Sequence, residues 1–411
     1  MSRTHAAVRG ALLVGVVGAI YACTNDADVF SPAPADPLFH SYVAIGNSIT
    51  AGFQSDGIND STQKTSYALL LAQQMRTRYS FPSLRMPGCQ PPISNALTGA
   101  RVGPAGSCAL RNIPVVNNVP TAPPSLNNVA VPGLGTADVT ALGTAAPRNN
   151  ALTQLILGGK SMVQKALEVD PTFTTIWMGN NDILGPALGG VPGTATPVNT
   201  FIANYAKMMS EFTLGAPGAK GVLIGVVQVS GVPLLFQAGI LAQSPAALAA
   251  ASQVAGRPVS LDPTTCAGTG LTSLIAVPYL IAIRQRPPAA PGTIFCRKTG
   301  LSPDPGDAGI LDPEEQVTVA TLINGYNAYI KAKADSLGFA YWDPNPIFAQ
   351  LRAAGSIPAF PNFASTDQTF GAFISLDGVH PSTRAHMTIA NELIKVINPK
   401  FGTNLALIPT P

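Results

Sequence analysis

Five residues of types that can catalyse acyl transfer lie at four widely separated points of the chain. Ser48, Gly133 and Asn181 each follow a short apolar run, and Asp377 and His380 stand together before the last amphipathic segment. A serine hydroxyl is a weak nucleophile unless a neighbouring base accepts its proton. Backbone N–H and side-chain amide groups can bind the negative charge that develops on a carbonyl oxygen. The set therefore predicts a serine hydrolase with an oxyanion hole.

The elements that must position these residues are short apolar strands that alternate with amphipathic helices. The predicted strands are residues 42–45, 128–131, 174–178, 221–229 and 340–342, and the predicted helices are residues 66–75, 150–167, 196–212, 313–336 and 383–397. This alternation predicts an α/β fold with a five-stranded parallel sheet in a three-layer, flavodoxin-like arrangement. Ligands of such sheets bind outside the carboxyl ends of the strands, where the candidate residues lie.

The composition excludes several other classes of protein. Charged residues make up 11% of the chain and hydrophobic residues 46%, which argues against disorder. The 24 Lys and Arg residues against 21 Asp and Glu form no basic run, so nucleic acid is not an expected partner. The 39 Gly and 38 Pro exclude a coiled coil and favour long ordered loops around a compact scaffold.

Four sequence blocks carry a specific resemblance. They are GNSIT at 46–50, NVAVPGLGTADV at 128–139, IWMGNNDIL at 176–184 and DGVHPS at 377–382. In this order they resemble the nucleophile, glycine, G-x-N-D and D-x-x-H blocks of the SGNH (GDSL-type) hydrolases, a lipase and acylhydrolase superfamily with exported bacterial lipoprotein members. The resemblance implies the SGNH hydrolase fold in a single domain over residues 39–411. Asn47 stands where the family usually has Asp, at a position outside the triad.

The resemblance also implies a role for each candidate residue. Ser48 would be the nucleophile, His380 the general base, and Asp377 the carboxylate that orients the imidazole. Gly133, Asn181 and the N–H of Ser48 would form the oxyanion hole. The alternative for each of them is an ordinary turn, cap or loop-bracing role.

Neighbouring residues of the same types are expected to be structural. Asp182 would brace its loop, and Asn180 would be structural or solvent-facing. His40 precedes the first strand, and His386 lies six residues after His380 on the last helix, so both are expected at the surface or in packing.

The N-terminus has the pattern of a targeting segment. Residues 1–22 carry Arg3 and Arg9 before an apolar stretch, which predicts a signal peptide. Ile20-Tyr21-Ala22-Cys23 resembles the lipobox of bacterial lipoproteins, so Cys23 is the predicted lipidation site, and residues 23–38 would form a Pro-rich tether. An ordinary secretory signal or an uncleaved anchor remains the alternative. The expected location is the bacterial cell envelope, lipid-anchored to the outer membrane or cell surface.

Four further cysteines suit an exported protein with two disulfides. We favour Cys89–Cys108 and Cys266–Cys296, because each pair lies inside one loop-rich insertion, at about 81–128 and 234–310. The other pairings and free buried thiols remain open. The cysteines show no C-x2-C spacing, so no metal site is expected.

The second insertion contains the most apolar segment outside the predicted sheet. Residues 271–283 hold eight large apolar or aromatic side chains. They could cap the active site and accept an acyl chain, or they could form a subdomain that only packs on the core.

These observations together predict a carboxylic-ester hydrolase that works through an acyl-enzyme and needs no metal or organic cofactor. The apolar insertion favours esters of lipids or other acyl groups as substrates. The alternatives are a polysaccharide O-acetyl esterase and a catalytically silent surface lipoprotein that binds glycan or lipid. The oligomeric state does not follow from the sequence.

Overall fold

A computed structural model describes most of the chain after the N-terminal segment. The described residues are 33–104, 106, 108–109, 115–116, 119–120, 125–288, 292–297 and 309–409. The predicted signal peptide, Cys23 and most of the tether lie outside them.

The secondary structure of the described residues alternates in the predicted way. The strands are β1 (Tyr42–Gly46), β2 (Val115–Val116), β3 (Val119–Pro120), β4 (Phe173–Trp177), β5 (Lys220–Ile224), β6 (Leu235–Gln237), β7 (Ser260–Leu261), β8 (Leu274–Ala276), β9 (Thr293–Ile294), β10 (Ile310–Leu311) and β11 (Ala340–Trp342). The helices are α1 (Ser48–Ala51), α2 (Asp60–Gln63), α3 (Tyr67–Met75), α4 (Ala151–Leu157), α5 (Met162–Leu167), α6 (Leu184–Leu188), α7 (Val198–Gly215), α8 (Ala238–Gln243), α9 (Pro245–Ala255), α10 (Val277–Arg284), α11 (Pro313–Leu337), α12 (Asn345–Ala353) and α13 (Thr383–Phe401). Short 3-10 turns lie between them.

The central sheet of the described residues is parallel, as predicted, but it has four strands and not five. β1 pairs with β4, β4 with β5, and β5 with β11, all in parallel. Asn128 adds a parallel bridge to Ala44 at the free edge of β1, and the N–H of Val131 donates to Gly46 O at 3.3 Å. The predicted strand at 128–131 is therefore present only as this bridge at the edge, and with it the spatial order is that of a flavodoxin-like sheet.

Both faces of the sheet are covered by helices, which gives three layers. Successive strand residues point to opposite faces. Val43 and Ile45 share a buried core with side chains of α5, α7 and α11. Tyr42 and Ala44 share a second core with side chains of α3 and α13.

Two further predicted elements differ from the structure. The helix predicted over 150–167 is divided into α4 and α5, because Gly158 and Gly159 adopt φ values of +61° and +85° that end the first helix. The strand predicted over 221–229 ends at Ile224. Beyond it, asparagine side chains accept the backbone N–H groups of residues 226–228, so these groups leave the sheet; the acceptors are Asn327, Asn180 and Asn345.

The insertion at about 234–310 forms a small layer with a core of its own. β6, β8 and β10 make an antiparallel sheet, and α8, α9 and α10 pack beside it. Five of the eight large apolar side chains of 271–283 are buried there, and Leu271 and Ile281 are partly buried against them. This core also takes in residues from the loop before α13, including Phe370 and Ile374. The eighth side chain, Leu274, is buried in the core that contains Val43 and Ile45.

Both favoured disulfides are present. Cys89–Cys108 closes the first insertion, and Cys266–Cys296 closes the second. Among the helices of the described residues, none combines the length and apolarity needed to cross a bilayer.

His386 is buried in the layer formed by α3 and α13. Its Nδ1 atom accepts the backbone N–H of Tyr67 at 3.2 Å, and its ring stacks on the Tyr67 ring. Burial, together with the nearby His380, lowers the pKa of His386 from its usual 6.5 to about 3. The structure therefore places this histidine in the packing of the core, in its neutral form.

His386 is expected to make the fold sensitive to acid. Below about pH 6.5 the unfolded chain gains a proton at this residue that the folded protein excludes until about pH 3, so the free energy of unfolding falls as the pH falls. Replacement by Asn keeps an acceptor near Nδ1 and removes this titration. Between pH 7 and pH 5 the protein should lose about 2 kcal/mol more stability than His386→Asn. Urea unfolding at both pH values measures this difference. The exposed His40→Asn is the control, and equal acid sensitivity of the protein and His386→Asn would contradict the assignment.

Candidate active site

A sharp turn between β1 and α1 presents Ser48 at the edge of the sheet. A Cβ atom on Gly46 would lie 2.0 Å from Thr50 Oγ1, so only glycine allows the helix to start this close to the strand. Ser48 is the first residue of α1, where the backbone N–H has no partner within the helix. Its side chain is therefore fixed just outside the carboxyl end of β1.

The structure brings Ser48, His380 and Asp377 into one hydrogen-bonded line. His380 Nε2 lies 2.9 Å from Ser48 Oγ, and His380 Nδ1 lies 2.9 Å from Asp377 Oδ2. The ring of Phe53 packs 4.9 Å from the imidazole, centre to centre. With the proton on Nδ1, the imidazole donates to the carboxylate and its Nε2 can accept the serine proton.

The carboxylate of Asp377 is held in its ionised form. Oδ1 accepts the N–H groups of Val379 and His380 at 2.9 and 2.8 Å, and Oδ2 accepts the N–H of Asp56 at 2.7 Å. Burial alone would raise the pKa of Asp377, but the charge of His380 and these hydrogen bonds outweigh it and lower the pKa to about 2. The group therefore remains a negative partner for the imidazole at any pH above about 4.

The proposed oxyanion loops are tied to each other. Asn181 Nδ2 donates one hydrogen bond to Leu134 O at 2.9 Å, which leaves its second N–H for a ligand. Asp182 accepts the N–H and the hydroxyl of Thr136 at 2.9 and 2.7 Å. Gly133 takes a φ of +87°, and Asn150 Nδ2 donates to the preceding carbonyl of Pro132. Burial raises the pKa of Asp182, whose contacts are those of a loop brace.

Asn180 and Asn47, two polar residues beside the active site, are both buried. Asn180 is 7% exposed and its Oδ1 accepts the N–H of Val227, while its Nδ2 has no partner among the described residues. Asn47 is fully buried, and neither side-chain polar atom has a partner within the described part of the chain. The solvent-facing alternative for Asn180 is therefore wrong, and the structural alternative fits its contact with Val227.

A cavity of about 280 Å³ opens beside Ser48 and His380. Its walls are mainly apolar and come from the segments after β4 and β5, from α12 and from the loop before α13; the residues are Ile49, Leu184, Val227, Val229, Val232, Pro233, Phe348, Ala349, Ile357, Ile374, Val379 and Pro381, with Asn180, Asn181, Gln228, Asn345 and Arg352 as polar members. None of the described residues within 234–310 lines it. The described part of the insertion therefore does not cap the active site. Most of its apolar side chains form a separate core instead.

Sequence reasoning did not find two contributors to this site. α12 supplies Phe348 and Ala349 to the cavity, in a nine-residue segment for which no helix was predicted. Asp56 touches the triad through its backbone N–H, which no side-chain pattern could reveal. His40 is exposed, and His386 lies in the core, where it accepts the N–H of Tyr67.

Comparison with known proteins places these features in a family. A family model for the GDSL-like lipases and acylhydrolases matches residues 42–393. No curated protein matches the chain. Similar solved structures include a mutant of an acetyl-xylooligosaccharide esterase from Geobacillus (12% identity, TM-score 0.35, 87% of this chain and 93% of that one). They also include a putative GDSL-like lipase from Parabacteroides merdae (10%, 0.33, 86% and 94%) and an extracellular lipase from Streptomyces rimosus (15%, 0.30, 88% and 97%).

The matched region runs from the first residue of β1 into α13 and contains Ser48, Gly133, Asn181, Asp377 and His380. Ester hydrolysis is the chemistry of this family. The protein belongs to the GDSL-like lipase/acylhydrolase family, the SGNH hydrolases that its four sequence blocks resemble.

Proposed function

We propose that the protein is a serine esterase that cleaves carboxylic esters whose acyl group is longer than acetyl. The observation that carries this proposal is the contact of His380 with both Ser48 and Asp377, at the mouth of an apolar cavity. A silent binding protein would have no need to keep these three side chains in line.

The reaction follows from the positions of the protons. His380 Nε2 accepts the proton of Ser48 Oγ as the oxygen attacks the ester carbonyl carbon. The negative charge on the carbonyl oxygen is bound by Asn181 Nδ2 and the N–H groups of Ser48 and Gly133. His380 then donates its proton to the leaving alkoxide, which leaves an acyl-enzyme. Water, deprotonated by the same nitrogen, attacks this ester, and Ser48 recovers its proton when the acid leaves.

The size and lining of the cavity support a longer acyl chain. An acetyl group would fill little of about 280 Å³ and would leave most of the apolar wall in contact with water. Each methylene that leaves water for such a wall stabilises binding by about 0.8 kcal/mol. The polysaccharide O-acetyl esterase is thus the less favoured activity, and acetylated xylan is its test substrate.

We also propose that the protein is exported and held at the cell envelope by lipid on Cys23. The charged start, apolar stretch and lipobox-like Ile20–Cys23 support this placement. Two or more acyl chains are needed for a stable anchor, since one gives only marginal binding.

Replacement of either Ser48 or His380 by Ala should reduce kcat by about 10³-fold or more without unfolding the protein. Triad members act as a unit, so the double variant should be little worse than either single one. Hydrolysis of p-nitrophenyl octanoate and labelling with a fluorophosphonate measure the effect. Circular dichroism is the folding control. Undiminished hydrolysis by Ser48→Ala would overturn the mechanism.

Filling the cavity should shorten the preferred acyl chain. Ala349→Phe adds a ring to the cavity wall, so kcat/KM for the octanoate ester should fall tenfold or more while that for acetate stays within about threefold. Ala353→Phe, at the exposed end of the same helix, is the matched control. Equal losses for both esters would place the acyl chain elsewhere and strengthen the small-acyl alternative.

Cys23→Ala should remove the lipid attachment. The variant is expected in the soluble fraction or as an unprocessed precursor, because no acyl chain can be added at residue 23. Fractionation of cells fed a radiolabelled fatty acid tests this. A variant of mature size that still sediments with membranes would show that lipid on Cys23 is not the anchor.

A further inference from the structure

Two non-glycine residues next to the triad share an unusual backbone conformation. Ser55 and Asp56 have φ values of +55° and +51°, the left-handed region that residues with a side chain rarely adopt. Such a turn persists only when its surroundings hold it. Ser55 is held by the loop that carries Asp377, since its N–H donates to Ser375 Oγ and its Oγ accepts the N–H of Leu376.

Among the described residues, this turn alone supplies a hydrogen bond to the Asp377 carboxylate from a distant part of the chain. Both bonds to Oδ1 come from Val379 and His380, in the same short loop. The N–H of Asp56 donates to Oδ2, the oxygen that also receives His380 Nδ1, across 321 residues of sequence. Asp56 therefore holds Oδ2 in place, and this is the carboxylate oxygen that orients the imidazole of His380.

Two donors from the first insertion hold Asp56. Arg101 donates to the backbone carbonyl of Asp56 at 2.8 Å and forms an ion pair with its carboxylate. Gln90 Nε2 donates to the same carbonyl and to the carboxylate Oδ2, each at 2.9 Å. Arg101 also donates to the carbonyl of Pro91 at 2.6 Å, which ties the guanidinium to its own loop.

The disulfide of the first insertion encloses both donors. Gln90 and Arg101 lie between Cys89 and Cys108, which the disulfide joins. The base of this loop is paired with the segment after Asp56, since the N–H of Ile58 donates to Gln90 O and the N–H of Cys89 donates to Ile58 O. None of Asp56, Gln90 and Arg101 lines the cavity.

We propose that Arg101 is a positioning residue for ester hydrolysis: through Asp56 it holds the backbone N–H that orients the carboxylate of Asp377 towards His380. The inference rests on the proposed role of Asp377. Arg101 touches neither the triad side chains nor the cavity. Its loss should therefore lower kcat and leave the binding of the acyl chain, and so KM, unchanged. The disulfide Cys89–Cys108 keeps Arg101 and Gln90 within reach of the turn.

The test compares Arg101→Ala with Arg297→Ala. Arg297 is a matched control because it is also paired with an acid, Glu314, and lies next to the other disulfide. Arg101→Ala should lower kcat for p-nitrophenyl octanoate at least tenfold with KM within twofold, and Arg297→Ala should change neither. Arg101→Lys should recover part of kcat, because an ammonium keeps the charge without the forked donors.

A second measurement follows the ionisation of the Asp377 carboxylate itself. Carbon-13 NMR of the aspartate carboxyls, assigned with Asp377→Asn, should show the pKa of Asp377 rising from about 2 in Arg101→Ala, because Oδ2 loses a donor. A general loss of stability would lower the amount of folded protein without this shift. An unchanged kcat, or a lower kcat with an unshifted Asp377, would overturn the inference. Ser48→Ala judges the proposed function separately, since it should be inactive in either case.

A pair of variants at the turn covers the case in which Arg101→Ala does not fold. Asp56→Gly removes the carboxylate but favours the left-handed φ, whereas Asp56→Val removes it and opposes that φ. If the position of the N–H is what matters, the glycine variant keeps a higher kcat than the valine variant, by about tenfold or more. Equal kcat values would show that the turn does not position Asp377, and the inference would fail.

Discussion

The hydrogen bond between Ser48 and His380 joins residues that are 332 positions apart, and most of the architecture serves to keep them together. One end is fixed by β1, which pairs with β4 on one side and bridges to Asn128 on the other, so the α1 turn has little freedom. The other end is a loop with no regular structure. That loop is fastened by the bridge between Ile374 and Pro381 and by the N–H of Leu234, which donates to Gly378 O. The second insertion, which begins at Leu234, thus supports the loop that carries His380 and Asp377.

Much of this arrangement follows from the sequence because it is locally encoded. The strand and helix alternation and the four blocks predict the fold and the family, and the two insertions predict the cysteine pairs. Features that depend on backbone conformation or on contacts between distant residues were not predicted. The pair Gly158–Gly159 divides a helix that its apolar spacing predicts as continuous, because left-handed φ values end α4. The contact of Asp56 with Asp377 uses a backbone N–H, and nothing in the residue types of 55–56 indicates it.

Apolarity alone could not say what residues 271–283 cover. A lid and a packed core need the same composition, and only the direction of each side chain separates them. In the structure Ile275, Tyr279, Leu280 and Ile283 are buried against α9 and the loop before α13. The cavity wall instead uses Val227, Val229 and Val232, from a stretch that the sequence analysis had partly assigned to β5. That stretch leaves the sheet because asparagine side chains take its N–H groups.

The chain enters the fold near the amino end of β1, and the catalytic Ser48 follows the carboxyl end of the same strand. Ala35 is already tied to the end of α3 through its N–H, Phe39 is fully buried, and β1 starts at Tyr42. A five-residue strand, about 16 Å long, then separates this entry from the turn before Ser48. A support attached to the chain ahead of β1, natural or engineered, would therefore join the fold at the end of this strand that lies away from Ser48.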